Sequence, residues 1–174
     1  MTLPELFSSP VALAGLTLVL AAVLYFQRTL SYSEYNQFHR LRLRLFPPLS
    51  RLTSLFLVSE KGYRDDAEYV ATVSASPTRL YRQLTDAGLS PHLISSIKRR
   101  ETPTGVTQYS ILHFVKQHGA TQSEVYCFEA DSGAVDLYAH NEATVLTPEQ
   151  HLEDTNQEDG DPRNVIPPAL IQEP

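Results

Sequence analysis

The chain has 174 residues, of which 42% are hydrophobic, and a formal net charge of −6 at pH 7; that length leaves room for one compact domain beside an anchor and a tail. Cys127 is the only cysteine, so an intramolecular disulfide and a zinc site of several thiolates are excluded. The charge is uneven: residues 1–26 carry −1, 27–64 carry +5, 65–147 carry −4 and 148–174 carry −6, which sets a basic band near one end and an acidic tail at the other.

From Phe7 to Phe26 the chain reads FSSPVALAGLTLVLAAVLYF without a charge; as a helix this stretch spans roughly 30 Å, the thickness of a bilayer core. Ser9 before Pro10 is the expected cap, and Tyr25 with Phe26 stand where interfacial aromatics belong. A cleavable signal peptide needs a basic start and a shorter apolar core, and no Lys or Arg precedes Arg28. The reading is a single-pass transmembrane anchor over residues 1–30. Arg28, Arg40, Arg42 and Arg44 follow the segment, which predicts an outside N-terminus and a cytoplasmic C-terminal domain.

Residues 31–64 read as a basic juxtamembrane, amphipathic segment; its first part, as residues 27–46, is favoured as a continuing helix or an interfacial coil, with a kink or break expected near Phe46 because Pro47 and Pro48 lack donors. Beyond them, apolar residues at 49, 52, 55 and 56 have helical spacing, either on the membrane surface or under the domain. Arg40, Arg42, Arg44 and Arg51 are candidates for contact with anionic lipid head groups.

The domain over residues 65–147 is predicted as α+β, with order β-α-β-β-β-β: an antiparallel sheet with one packed helix. Tyr69–Ser74 alternates as a strand. Ser76 and Pro77 start a helix with Leu80, Tyr81 and Leu84 on one face, and Gly88 stops it. Ser90-Pro91 suggests a helical turn, Ile94–Thr102 reads as extended, and Val106–Gln117 reads as one strand covered on both faces. His118-Gly119 breaks that strand. SEVYCFEA (123–130), Asp131-Ser-Gly133 and Ala134–His140 then make a hairpin. The tail over 148–174 is acidic, poor in aromatics and predicted to be a disordered, solubilising end, with a short docking segment over the apolar Val165–Ile171 as the alternative.

Ser95–Arg100, Val125–Glu129, Gly133 and Val135–His140 together resemble uncharacterised small proteins of haloarchaea and their viruses and plasmids. The resemblance covers about 75 residues, implies no catalytic residue, and points at most to a mobile-element or envelope-associated origin.

Serine-hydrolase, phosphate-loop and dinucleotide fingerprints are absent from the sequence. Cys127 with His113, His118 or His140 is the one thiol-and-base combination, and its mid-strand place between Tyr126 and Phe128 reads as a buried small hydrophobe. His113, Glu129, Asp136 and His140 come from three strands without compact metal spacing, so no cofactor or metal is expected. Lys98, Arg99 and Arg100, with Arg79 and Arg82 on the helix, are a candidate patch for a protein partner or anionic lipid; mild acidity and the lack of a stacking platform argue against nucleic acid. The function expected is that of a membrane-tethered, non-enzymatic interaction protein presenting its domain to an unknown protein partner. A membrane-anchored enzyme using His113, Cys127, Asp136 and His140 is the alternative, and it requires those side chains to converge in a concave pocket.

Overall fold

The computed structural model describes residues 10–53, 56–64, 67–118, 121–130, 133–143 and 161–171. Helix α1 (Pro10–Thr29) ends at a break, and α2 (Tyr32–Leu52) starts anew at Ser31. The break is coded locally. Ser31 has an extended backbone, its hydroxyl accepts from the Glu34 N–H, and the Glu34 carboxylate accepts from the Ser31 N–H at 2.8 Å, which satisfies two orphan donors reciprocally. Ser9 lies outside the described residues. Among the described residues no helix is long and apolar enough to cross a membrane; Val11, Leu16, Val19, Leu20, Val23 and Leu24, which carry much of the hydropathy of α1, have side chains outside the described set.

Helix α2 does not stop at Phe46. It runs through Pro47 and Pro48 to Leu52, so the expected break is corrected. The missing proline donors deprive the Leu43 and Arg44 carbonyls of helical partners, but the ladder resumes with Thr53 N–H donating to the Leu49 carbonyl at 2.9 Å.

The single antiparallel sheet expected from the sequence is also corrected: the described strands form two sheets rather than one. Strands β2 (Tyr69–Val73), β3 (Ser90–Pro91), β6 (Leu112–His118), β7 (Thr121–Glu129) and β8 (Val135–Ala143) make an antiparallel sheet ordered β2-β8-β7-β6-β3. Strands β1 (Val58–Lys61), β4 (Ile97–Glu101) and β5 (Thr107–Tyr109) make a second, with β1 parallel to β4. The predicted long strand from Val106 to Gln117 is therefore two. At Ser110 the N–H still donates to Lys98 of the small sheet, and at Ile111 it donates to Cys127 of the large one, so the chain changes sheets between them. Ser90-Pro91 is a short strand on β6 instead of a helical turn; proline is tolerated there because β3 is an edge.

Helix α3 (Pro77–Asp86) forms as its signals predict: the Ser76 hydroxyl accepts from Arg79 N–H, and Gly88 takes φ +84° to end it. Strand alternation then divides the large sheet into two unlike faces. Leu112, Phe114, Val125, Cys127, Val135, Leu137 and Ala139 belong to the apolar core under α2 and α3. Tyr35 of α2 is fully buried there, packed on Tyr81 and Phe114, and its hydroxyl accepts from the His113 N–H. The turn Pro162–Val165 and the short helix α4 (Pro168–Ile171) add Ile166 and Leu170 to the same core. This part of the predicted tail is packed; residues 144–160 and 172–174 lie outside the described residues. The packed unit thus includes α2 and β1, which a boundary at residue 65 leaves out.

Candidate functional site

Two surfaces of this architecture carry chemistry: the outer flank of α2 and the layer between the two sheets. On α2, Phe38, Leu41, Leu45, Leu49 and Leu52 are exposed, Leu52 by 82%. Their spacing of three and four residues places them on one stripe. Tyr35 and His39 face the domain on the neighbouring side. Arg40, Arg44 and Arg51 are exposed on the far side of the stripe, where long basic side chains can reach a polar boundary while apolar ones enter it.

Arg42 does not belong with them. It is buried, its guanidinium donates to the carbonyls of His92 (3.3 Å) and Ser95, and it lies over the Phe46 ring at 5.1 Å. The basic patch is likewise dispersed. Lys98 and Arg100 are buried between the sheets, while Arg99, one residue out of phase, pairs with Glu60 at the surface. Arg79 and Arg82 are exposed on α3. The candidate contacts that remain accessible are Arg40, Arg44, Arg51, Arg79, Arg82 and Arg99.

The layer between the sheets holds two ionic clusters in an aromatic setting. In one, Arg100 is fully buried against Asp136 (2.8 Å) and donates to Gln108 Oε1, the Tyr138 hydroxyl and the Glu129 carbonyl. The Phe128 and Tyr63 rings lie 4.5 and 4.7 Å from the guanidinium carbon. Arg64 and Thr72 complete the shell of Asp136; burial alone would raise the Asp136 pKa, but these donors hold it below the usual value.

In the other cluster Glu124 of β7 is the hub. Its carboxylate meets His92 Nδ1 at 2.8 Å, His113 Nε2 at 2.9 Å, Lys98 Nζ at 3.1 Å and His140 Nε2 at 3.5 Å. Burial would raise the Glu124 pKa, but His113 and Lys98 hold it well below the ordinary range. Burial pushes His113 down to about 3, with Glu124 opposing that shift. His140 is opposite in sign. Burial opposes its charge, yet Glu142, Glu68 and Glu124 raise it to about 9. Glu68 in turn is lowered to about 2 against the cost of burial, with His140, Lys61 and Tyr126 around it.

The sequence candidates for an enzyme therefore separate. Cys127 lies on the apolar face, between Leu112 and Leu137 in register, while His113, Asp136 and His140 face the small sheet. Burial raises the thiol pKa, as expected of a buried hydrophobe. Asp136 serves Arg100, His118 is exposed at the end of β6, and Glu129 is exposed beyond the layer. His113 and His140 do meet, but around Glu124, which went unnoticed in the sequence together with His92. A signal existed for Glu124: period 2 along β7 aligns it with Tyr126 and Phe128. His92 sits in a bend after β3, where no periodicity applies.

Compared with known proteins, the chain matches no family model, no curated protein and no solved structure.

Proposed function

We propose that this is a membrane-tethered, non-enzymatic interaction protein whose α+β domain is held against the cytoplasmic face of a membrane. In this reading α1 is the anchor, the Ser31 break turns the chain, and α2 lies along the lipid surface. The observation that carries it is the exposed apolar stripe Phe38, Leu41, Leu45, Leu49 and Leu52, on the helix that directly follows an uncharged apolar segment. Lipid covers such a stripe without requiring a shaped partner. Arg40, Arg44 and Arg51 meet anionic head groups at about 1 kcal/mol each. The rest of the domain is then presented to a protein partner in the cytoplasm.

Two features weigh against the competing readings. The cysteine and histidines of the enzyme reading lie on opposite faces of the large sheet, and Lys98 and Arg100 are committed to buried carboxylates rather than to phosphate. The test is membrane extraction of the full chain. It should remain with membranes after alkaline carbonate and be released by detergent. An arginine placed mid-helix, Leu18→Arg, should reduce insertion, since such a charge costs about 2.5–3.5 kcal/mol at a bilayer centre. Release of the wild-type chain by carbonate alone would reject the anchor. An introduced N-terminal cysteine should react with an impermeant reagent on intact cells, whereas one in the tail should not.

A further inference from the structure

The geometry points to a divalent transition-metal site built from His92 Nδ1, His113 Nε2 and the Glu124 carboxylate, in the layer between the two sheets. The three ligand atoms come from separate elements, namely the bend after β3, strand β6 and strand β7, and all lie within 4.8 Å of one another. The histidine-to-carboxylate separations of 2.8 and 2.9 Å are close to the edges of a coordination shell: ligands about 2.0–2.1 Å from an ion are roughly 3.0–3.4 Å apart, so a shift of a few tenths of an ångström admits one.

Three further observations favour a shared cation over a plain hydrogen-bond network. His92 Nδ1 is buried and lies 2.8 Å from Glu124 without meeting hydrogen-bond geometry, which leaves its lone pair to an ion. His113 is oriented from behind by Ser95, whose Oγ lies 2.7 Å from Nδ1 and also donates to the His92 carbonyl. A polar partner on the outer nitrogen is the usual arrangement for a ligating imidazole. His92 is also fixed by its backbone, since its N–H donates to the His113 carbonyl at 2.8 Å. Two imidazoles and one carboxylate suit Zn2+, Co2+ or Fe2+, and not the oxygen-seeking Mg2+ or Ca2+.

Lys98 Nζ stands 3.1 Å from the same carboxylate and acts as the competing cation. An arriving ion displaces it toward the Tyr126 ring, 5.7 Å away. Such a site is a metal-responsive clasp within the large sheet, and it exchanges the Lys98 contact from the small sheet for the ion.

The experiment uses the full chain, purified in detergent without a histidine tag and titrated with Zn2+ or Co2+ alone. One ion should bind per chain, with a Co2+ ligand-field spectrum that differs from that of the free ion. His92→Ala, at a half-buried bend, should weaken binding by at least about 10-fold while leaving the far-UV spectrum unchanged. Lys98→Met should tighten it, and His118→Ala, at the exposed end of β6, should leave it unchanged. Absence of binding, affinity undiminished in His92→Ala, an equal loss in His118→Ala, or weaker binding in Lys98→Met would each overturn the assignment.

Discussion

At the scale of single residues, the layer between the sheets is filled by groups that are costly to bury and are therefore paired. Removing one partner strands the other. Arg100→Met should destabilise the domain by about 3–5 kcal/mol, because Asp136 loses a fully buried counterion and Tyr138 and Gln108 lose a donor. Urea unfolding in detergent measures this, and a loss below about 1 kcal/mol would mean that Arg64 alone suffices. His39 supplies a pH dependence. Burial lowers its pKa to about 4, with the Ser110 carbonyl opposing that shift and Arg42 adding to it. Its unfolded value is near 6.5, so the unfolded chain takes up the proton first as pH falls. The contribution is present above pH 6.5 and is lost as pH falls toward 4, about 3 kcal/mol in all. His39→Gln, which cannot titrate, should flatten that part of the stability profile. Cys127 should react with alkylating reagents only after denaturation, because the thiol is fully buried in the apolar core and burial raises its pKa. Fast modification of the folded protein would contradict its place in the apolar core.

At the scale of elements, α2 has two tasks on adjacent faces. Tyr35, His39 and Arg42 fasten it to the domain, and the stripe from Phe38 to Leu52 is left open. The proline pair matters because the helix passes through it: a break at Phe46 would divide the stripe into two short, unaligned pieces. A fluorophore attached at Leu45→Cys in the full chain, reconstituted into vesicles, should be quenched by lipid-borne quenchers. Quenchers carried deep in the acyl chains should reach the same label at Arg40→Cys, placed at head-group level beside the stripe, much less. Equal quenching at both sites would mean that α2 does not lie on the lipid, and protection of Leu45 that grows with protein concentration would assign the stripe to a second copy.

At the scale of the whole molecule, the folding unit extends beyond the stretch with strand and helix texture. A chain beginning at Gly62 lacks α2 and β1, and so lacks Tyr35 under the large sheet and the parallel partner of β4. It should aggregate, while one beginning at Ser31 should fold in mild detergent. Circular dichroism and size exclusion decide between them. Ile166→Ala should cost about 2–5 kcal/mol, since the segment after Asp161 completes the core from the far end of the chain. A silent Ile166→Ala would show that this segment is dispensable.

What could be read without a structure was whatever depends on near neighbours in the chain. The Ser76 cap, Pro77, and Gly88 at φ +84° defined α3, and alternation and the turn at Gly133 defined the β7–β8 hairpin, because capping and turn geometry act within a few residues. The structure decided the rest. Whether a strand joins one sheet or another depends on partners far along the chain, so the change of sheets between Ser110 and Ile111 left no local mark. The same holds for charge. Lys98 and Arg100 look like an accessible basic patch in the sequence, and only the packing of the small sheet over the large one turns them onto Glu124 and Asp136. His92 joins Glu124 for the same reason: long-range packing, not spacing, brings a bend and two strands to one point.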